Sequence, residues 1–315
     1  MTIHDEQNSV QKGLKQEDAV PQTLAATPTP PLRLGMTQWS HNDWKRKFYP
    51  VGTKVGERLA RYAQVFNTVE GNTTFYASPS PATVANWKAA TSDTFRFTFK
   101  FPKAITHQLM LRHTDAMVTE FLALMAPLHE RIGMWTIQLP AAFGPDHLDD
   151  LDKFLLAMPR QFTCGVEVRH PAFFDKSDNE RALNALLIER NANRTIMDSR
   201  PVFAVSANTE ALIHAQKEKP RVPVHAIATA DNPMVRFIGD PTLERNDAFF
   251  ANWTKKIPQW ISEGKSPYLM IHTADNIEAP ELAEHFYKCL RQHIELPCLA
   301  PIFPSQDEER QITLI

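Results

Sequence analysis

Glycine is scarce in this chain of 315 residues, at 10 residues, and cysteine is scarcer, at three. No G-x-G-x-x-G follows the first strand-like segment, which argues against a dinucleotide-binding sheet. No glycine-rich phosphate loop follows the late strands either, so phosphate specificity has no support there. Cys164, Cys289 and Cys298 are odd in number and form no C-x-x-C, and reduced thiols in a cytoplasm are the simplest reading. No segment approaches the roughly 18 consecutive apolar residues of a membrane span. The N-terminal stretch MTIHDEQNSVQKGLKQED lacks the apolar centre of a secretory signal. An excess of one charge is missing too: Lys+Arg number 34 against Asp+Glu 36, a net charge of −2. That balance gives no electrostatic footprint for nucleic acid or an anionic membrane, although a local basic patch is compatible with it.

What is present is an alternation of two periodicities. Residues 1–31 are polar and then rich in Pro, Thr and Ala, with no apolar face to bury, and read as a flexible tail. From Leu32 to the C-terminus the chain reads as one domain. LRLGMTQW, NTVEGN, FRFTFKF, GMWTIQLP, FTCGVEVR, RTIMDS, MVRFIG and YLMIHT are strand-like. Amphipathic or helix-bearing segments separate them, at 54–66, 80–90, 114–131, PDHLDDLDKFLLAM, 177–191, 208–217, 245–263 and 279–293. Eight strands alternating with helices predict parallel pairing through right-handed crossovers, closed into a (β/α)8 barrel, the TIM-barrel class of α/β fold. An open doubly wound sheet is the rival, and it usually has fewer strands.

The strands carry a second signal. A parallel strand buried on both faces should be apolar throughout, yet Phe95, Phe97, Phe99 and Phe101 alternate with Arg96, Thr98 and Lys100, and the other strands alternate similarly. Successive side chains point to opposite faces, so the apolar set is expected to face the helices and the polar set the barrel axis. Near the C-terminal strand ends this places Glu70, Asn72, Lys100, Gln138, Glu167, Arg169, Asp198, Arg236 and His272 around one mouth, with Trp39 on the first strand. Barrel enzymes hold their sites at that face.

These residue types can do acid–base and anion-binding chemistry. Glu70 and Glu167 could serve as an acid and a base in hydrolysis, or each could anchor a neighbouring cation. Lys100 could hold an anion or form a Schiff base. Arg169 and Arg236 offer planar forks for a carboxylate or phosphate, and Asn72 and Gln138 could orient a substrate. Glu167, Asp198 and His272, with His170 nearby, have the ligand chemistry of a divalent-metal site, without a close-spaced signature. His107 lies on a loop within reach of the mouth, and Trp39, Phe75 and Tyr76 could wall a ring-shaped ligand. Cys164 has the outward parity of a packed, inert thiol. The candidate catalytic set is Glu70, Lys100, Glu167, Asp198 and His272. The candidate binding set is Trp39, Asn72, Tyr76, His107, Gln138, Arg169, His170 and Arg236. The sequence names no cofactor and no resident metal. A hydrolase acting on a small polar, anionic or sugar-like molecule is the expectation, with a metal-dependent hydrolase or isomerase and a non-catalytic binding protein as alternatives.

Several strings resemble a known family. Gly35…Trp39-Ser40…Trp44, Phe48-Tyr49-Pro50, the run Thr68-Val69-Glu70-Gly71-Asn72-Thr73-Thr74-Phe75-Tyr76, Lys100-Phe101-Pro102, Ile105-Thr106-His107, Gln138-Leu139-Pro140 and Glu167-Val168-Arg169-His170 are similar to the YecE-like proteins, labelled domain of unknown function 72. The resemblance spans roughly residues 32–293. It implies a (β/α)8 barrel and brings no settled activity. Gly71, the stretch His170–Phe174, His272-Thr273 and the long segment 200–232 depart from the usual pattern.

Overall fold

The computed structural model describes residues 31–302, so nearly all of the expected tail over residues 1–31 lies outside the described residues. Eight parallel strands form the centre: β1 Arg33–Met36, β2 Thr68–Gly71, β3 Arg96–Lys100, β4 Ile132–Gln138, β5 Cys164–Glu167, β6 Asn193–Asp198, β7 Met234–Gly239 and β8 Tyr268–Thr273. Their hydrogen-bonded order is β1-β8-β7-β6-β5-β4-β3-β2, the (β/α)8 order expected from the alternation. Helices follow the strands and cover the outside. The expected boundaries hold within a few residues. The helix at 80–90 is Pro81–Ala89, begun by Ser80, whose hydroxyl accepts the Thr83 N–H, with proline in the first turn. The expected helix at 114–131 instead stops at Met125 and tightens into a 3-10 turn over Ala126–Arg131, where Pro127 sits in the first turn. No helix among the described residues is long and apolar enough to cross a membrane.

The period-two pattern sorts the barrel as its chemistry requires. Phe95, Phe97, Phe99, Phe101, Trp135, Ile137, Val166, Phe237 and Ile271 pack into the main core between sheet and helices. Phe97 stacks on Phe99, and Trp87 of the preceding helix Pro81–Ala89 stacks on Phe99 in turn. Inside the lower barrel a separate cluster, Met134, Met234, Tyr268 and Met270, plugs the axis. Met134 fills space against Gly165, where a β-carbon would collide with its sulfur. Above that plug most inward positions become polar, with Met197 and Ile238 as apolar exceptions, so the barrel has an apolar floor and a charged mouth. Cys164 faces the core and is buried, and burial pushes its thiol up to about 12.

Among the described residues no backbone ladder joins β1 to β2, and side chains close that seam. Asn67 Oδ1 accepts the Leu34 N–H at 2.9 Å while its Nδ2 donates to the Leu32 carbonyl at 2.9 Å. The buried Tyr62 hydroxyl accepts the Met36 N–H at 2.7 Å and donates to the Thr68 carbonyl at 2.9 Å. Higher up, Asn72 Nδ2 donates to the Thr37 carbonyl at 2.7 Å. Gly35 allows the approach: a β-carbon there would strike the Thr68 carbonyl. Tyr62→Phe keeps the ring packing and leaves the Met36 N–H and Thr68 carbonyl without their partner. It should cost about 1–3 kcal/mol, the usual penalty for orphaned buried polar groups, read by urea denaturation at unchanged m-value. A loss below about 0.5 kcal/mol, within the ordinary range of a surface change, would show that the hydroxyl does not close the seam.

Candidate functional site

The mouth is organised around Arg236, which β7 points up the axis. Its Nε and Nη2 donate to Glu70 Oε2 and Oε1 at 2.8 and 2.9 Å. Its Nη1 donates to Glu167 Oε2 at 2.8 Å. Lys100 Nζ lies 3.2 Å from Glu70 Oε1. Arg169 donates through Nε and Nη2 to Glu167 Oε1 at 3.0 and 2.9 Å. Glu70, Lys100, Glu167 and Arg236 are all buried. Burial would raise both carboxyls, but Arg236, assisted by Lys100 at Glu70 and by Arg169 and Lys100 at Glu167, more than offsets it and holds both below the ordinary range. Burial likewise lowers Lys100, with Glu70 opposing it. Arg236 is held charged because its two carboxylates outweigh its desolvation.

Above this network opens a cavity of about 1110 Å³. Trp39, Asn72, Tyr76, Lys100, His107, Gln138, Arg169, Arg236 and His272 all line it, as the sequence led us to expect, and Glu70 does so beneath them. Glu167 lies just below, reaching the lining through its pairs with Arg169 and Arg236. Tyr76 is exposed at the rim, whereas Trp39 packs edge-on to Trp87 and Phe97. His107 pairs with the Thr106 hydroxyl at 2.9 Å and stands edge-on to Phe75. Burial and then Arg169 push its pKa down to about 4. His272 is buried, with Nε2 lacking a partner. Burial first, then Lys219 and Arg236, keep it well below the usual histidine range, hence neutral. Asn72 Oδ1 and Gln38 Nε2 are also buried without partners on this cavity. Such orphaned groups are costly in a pocket with nothing to meet them.

Two expected residues lie elsewhere. Asp198 faces the helix layer: Arg200 grips it in a two-pronged pair at 2.9 and 2.7 Å, and Trp253 Nε1 donates to it at 2.8 Å. In β6 the inward positions are Thr195 and Met197, and the charged Arg194 and Asp198 point outward, where the helix layer supplies partners. His170 Nδ1 accepts the Ala172 N–H and caps the turn Pro171–Phe173, with its ring against Gly144. The metal trio Glu167, Asp198 and His272 therefore does not converge.

One residue the sequence did not single out enters the site. Lys219 lies in the long segment after β6 and lines the cavity with Lys217 and Arg221. The Ser199 hydroxyl donates to the Pro220 carbonyl at 2.8 Å, and His225 Nδ1 lies 2.6 Å from buried Glu180, so the segment is pinned to the barrel. Lys219 pairs with no carboxylate among the described residues. Burial first, then the field of Arg236, lower its pKa to about 8. The visible signal was Lys217-Glu218-Lys219-Pro220-Arg221 inside an unusually long connection, the kind of loop that commonly carries function.

The fold and site together define a (β/α)8 barrel with a cationic, carboxylate-braced mouth. Residues 33–308 match the model of the family described as Protein of unknown function DUF72, and the chain belongs to that family. It is 47% identical over 275 residues to UPF0759 protein YecE of Escherichia coli strain K12, covering 87% of this chain and 98% of that protein. The YecE protein of Escherichia coli O157:H7 matches to the same extent. Among solved structures, a DUF72 family protein from Enterococcus faecalis V583 superposes with a TM-score of 0.65 at 19% identity, over 86% of this chain and 98% of that one. One from Thermotoga maritima MSB8 gives 0.63 at 22% identity, over 82% and 99%. These two structures share the fold.

Removing the central cation should be severe. Arg236→Met leaves two buried carboxylates facing each other and should lose about 3–5 kcal/mol in urea denaturation. The pH dependence should weaken with it. In the native protein the carboxyl pKa values are depressed, so their contribution is complete above 4.5, the ordinary carboxyl value, and is lost as pH falls below it. In Arg236→Met only Lys100 and Arg169 oppose burial, the pKa values rise, and the stability lost in acid should shrink. A variant that loses stability in acid like the native protein would contradict the clamp.

Proposed function

We propose that this protein is an enzyme that binds a small anionic molecule, a carboxylate or phosphate compound, in the barrel mouth and moves a proton on it. The carrying observation is the charge at the centre: Lys100, Arg169, Lys219 and Arg236 stand against only Glu70 and Glu167. The carboxylates brace the cations, and the surplus positive charge is free to meet a ligand. Arg169 and Lys219 are the groups that would touch it, because Arg236 has its guanidinium committed to Glu70 and Glu167. Gln38, Asn72 and His272, with their unpartnered atoms, would complete the ligand's hydrogen bonds.

This reading moves the proton chemistry away from the carboxylate pair. A general acid must carry a proton near neutral pH, and Glu70 and Glu167 are both held ionised by their cations. Hydrolysis by paired carboxylates is therefore less well supported than proton transfer by Lys219, whose pKa of about 8 lies close to working pH, with neutral His272 beside it.

The test uses inorganic phosphate and simple carboxylates as probes, with binding followed by calorimetry. Lys219→Met and Arg169→Met should each weaken binding by about 1.5–3 kcal/mol, the usual worth of a hydrogen bond to a charged group. Affinity in the native protein should fall as pH rises through about 8, where Lys219 loses its charge, and binding near that pH should take up a proton. Anion binding that ignores both variants and pH would sink the reading. Once native mass spectrometry identifies a retained anion, His272→Gln should keep its binding and lose its turnover. Retention of an anion with no turnover by the native protein would mark a binding protein instead.

A further inference from the structure

Outside the mouth, a second cluster of reactive side chains gathers where the last two helices meet. The helix Asp247–Ser262 begins with Asp247, and the helix Ala279–Arg291 carries His285 and Cys289 one turn apart on one face. His285 Nε2 lies 2.6 Å from Asp247 Oδ1. One ligand atom from each of Asp247, His285 and Cys289 lies within 4.8 Å of the other two, the only such trio of His, Cys and acidic residues among the described residues. The floor beneath is rigid: Phe250 and Phe286, one from each helix, stack at 3.9 Å, and His285 leans on Phe250. The thiol is free of any disulfide and partly buried, and the carboxylate is exposed to solvent.

We propose that Asp247, His285 and Cys289 form a binding site for a borderline-soft divalent metal ion of the zinc type, bridging the two helices at the outer surface of the barrel. A carboxylate oxygen, an imidazole nitrogen and a thiolate are a donor set that zinc accepts. A tetrahedral zinc ion holds such atoms roughly 3.3–3.6 Å apart. To reach that spacing the His285–Asp247 pair has to open from 2.6 Å and Cys289 Sγ has to draw in from within 4.8 Å, both small side-chain adjustments. On binding, the Cys289 S–H bond gives its proton to solvent and its sulfur becomes the thiolate ligand, with no change in oxidation state. Three protein ligands leave a fourth position for water or a group from another molecule. As an ion pair alone, an exposed His–Asp contact contributes little. The thiol a helical turn beyond His285 makes the arrangement chelating, since two ligands come from one rigid helix and the third from its neighbour.

The full-length protein, reduced and stripped by chelator, is titrated with zinc chloride and with cobalt chloride. One zinc per chain should bind, raising the melting temperature, and cobalt should give the near-ultraviolet band of a thiolate-bound ion. Cys289→Ser should abolish the band, and Asp247→Asn and His285→Gln should each weaken zinc by more than about tenfold, the least that even an outer-sphere change usually costs. Cys298→Ser, at the exposed thiol beyond the last helix, should leave binding intact. The partly exposed positions of Asp247 and Cys289 make misfolding of the variants easy to exclude by their unchanged far-ultraviolet spectra. Absence of stoichiometric zinc, a cobalt band that survives Cys289→Ser, or a loss caused by Cys298→Ser would overturn the site.

Discussion

Everything at the barrel mouth depends on one buried guanidinium answering two carboxylates. Glu70 on β2 and Glu167 on β5 come from different parts of the ring, and Arg236 on β7 is the group that reaches both. Buried charge survives only when it is paired and hydrogen-bonded. The three strands must therefore keep their register within the tolerance of a 2.8 Å hydrogen bond. Lys100 and Arg169 add to the same network, so their positions trace back to this knot, whereas Lys219 is carried in by the long segment after β6. A network of this kind is a means of specifying geometry more than a source of stability, since apolar packing of equal volume often serves stability as well.

Much of this was legible in the sequence because a strand has only two faces. Once Phe95, Phe97, Phe99 and Phe101 were assigned to the helix side, Lys100 had to face the axis, and the same argument reached Glu70, Gln138, Glu167, Arg236 and His272. The argument failed at Asp198. There the rule that polar strand ends face the mouth conflicted with parity, and parity prevailed because Trp253 and Arg200 satisfy the carboxylate in the outer layer. His170 was misplaced for a related reason: a histidine beside a site can spend its nitrogen on capping a turn. Lys219 was invisible because it depends on how a long loop folds back, which no periodicity encodes. The ring order was readable, but the manner of its closure was not, since it rests on Asn67, Tyr62 and Asn72 reaching across a gap.

Membership of the DUF72 family and the likeness to YecE place these features in a group whose descriptions name no reaction. The physical content of the site narrows the field on its own terms. Under the proposed reading, carboxylates already neutralised by their own cations, neutral histidines and a lysine of lowered pKa would leave room for an anionic ligand. The neutral imidazoles are a result of burial first and of the field of the cations second, because each added proton would also meet Lys219, Arg169 or Arg236.

The seam between β1 and β2 gives the barrel an asymmetry that its regular strand order conceals. Every other junction in the ring is a backbone ladder, indifferent to which side chains it carries. Here the closing hydrogen bonds belong to Asn67, Tyr62 and Asn72, so continuity of the ring is written in three side chains. The wall beside Thr37, Trp39 and Asn72 is consequently the one place where a point substitution can unzip the cylinder while the other seven strand junctions keep their backbone hydrogen bonds.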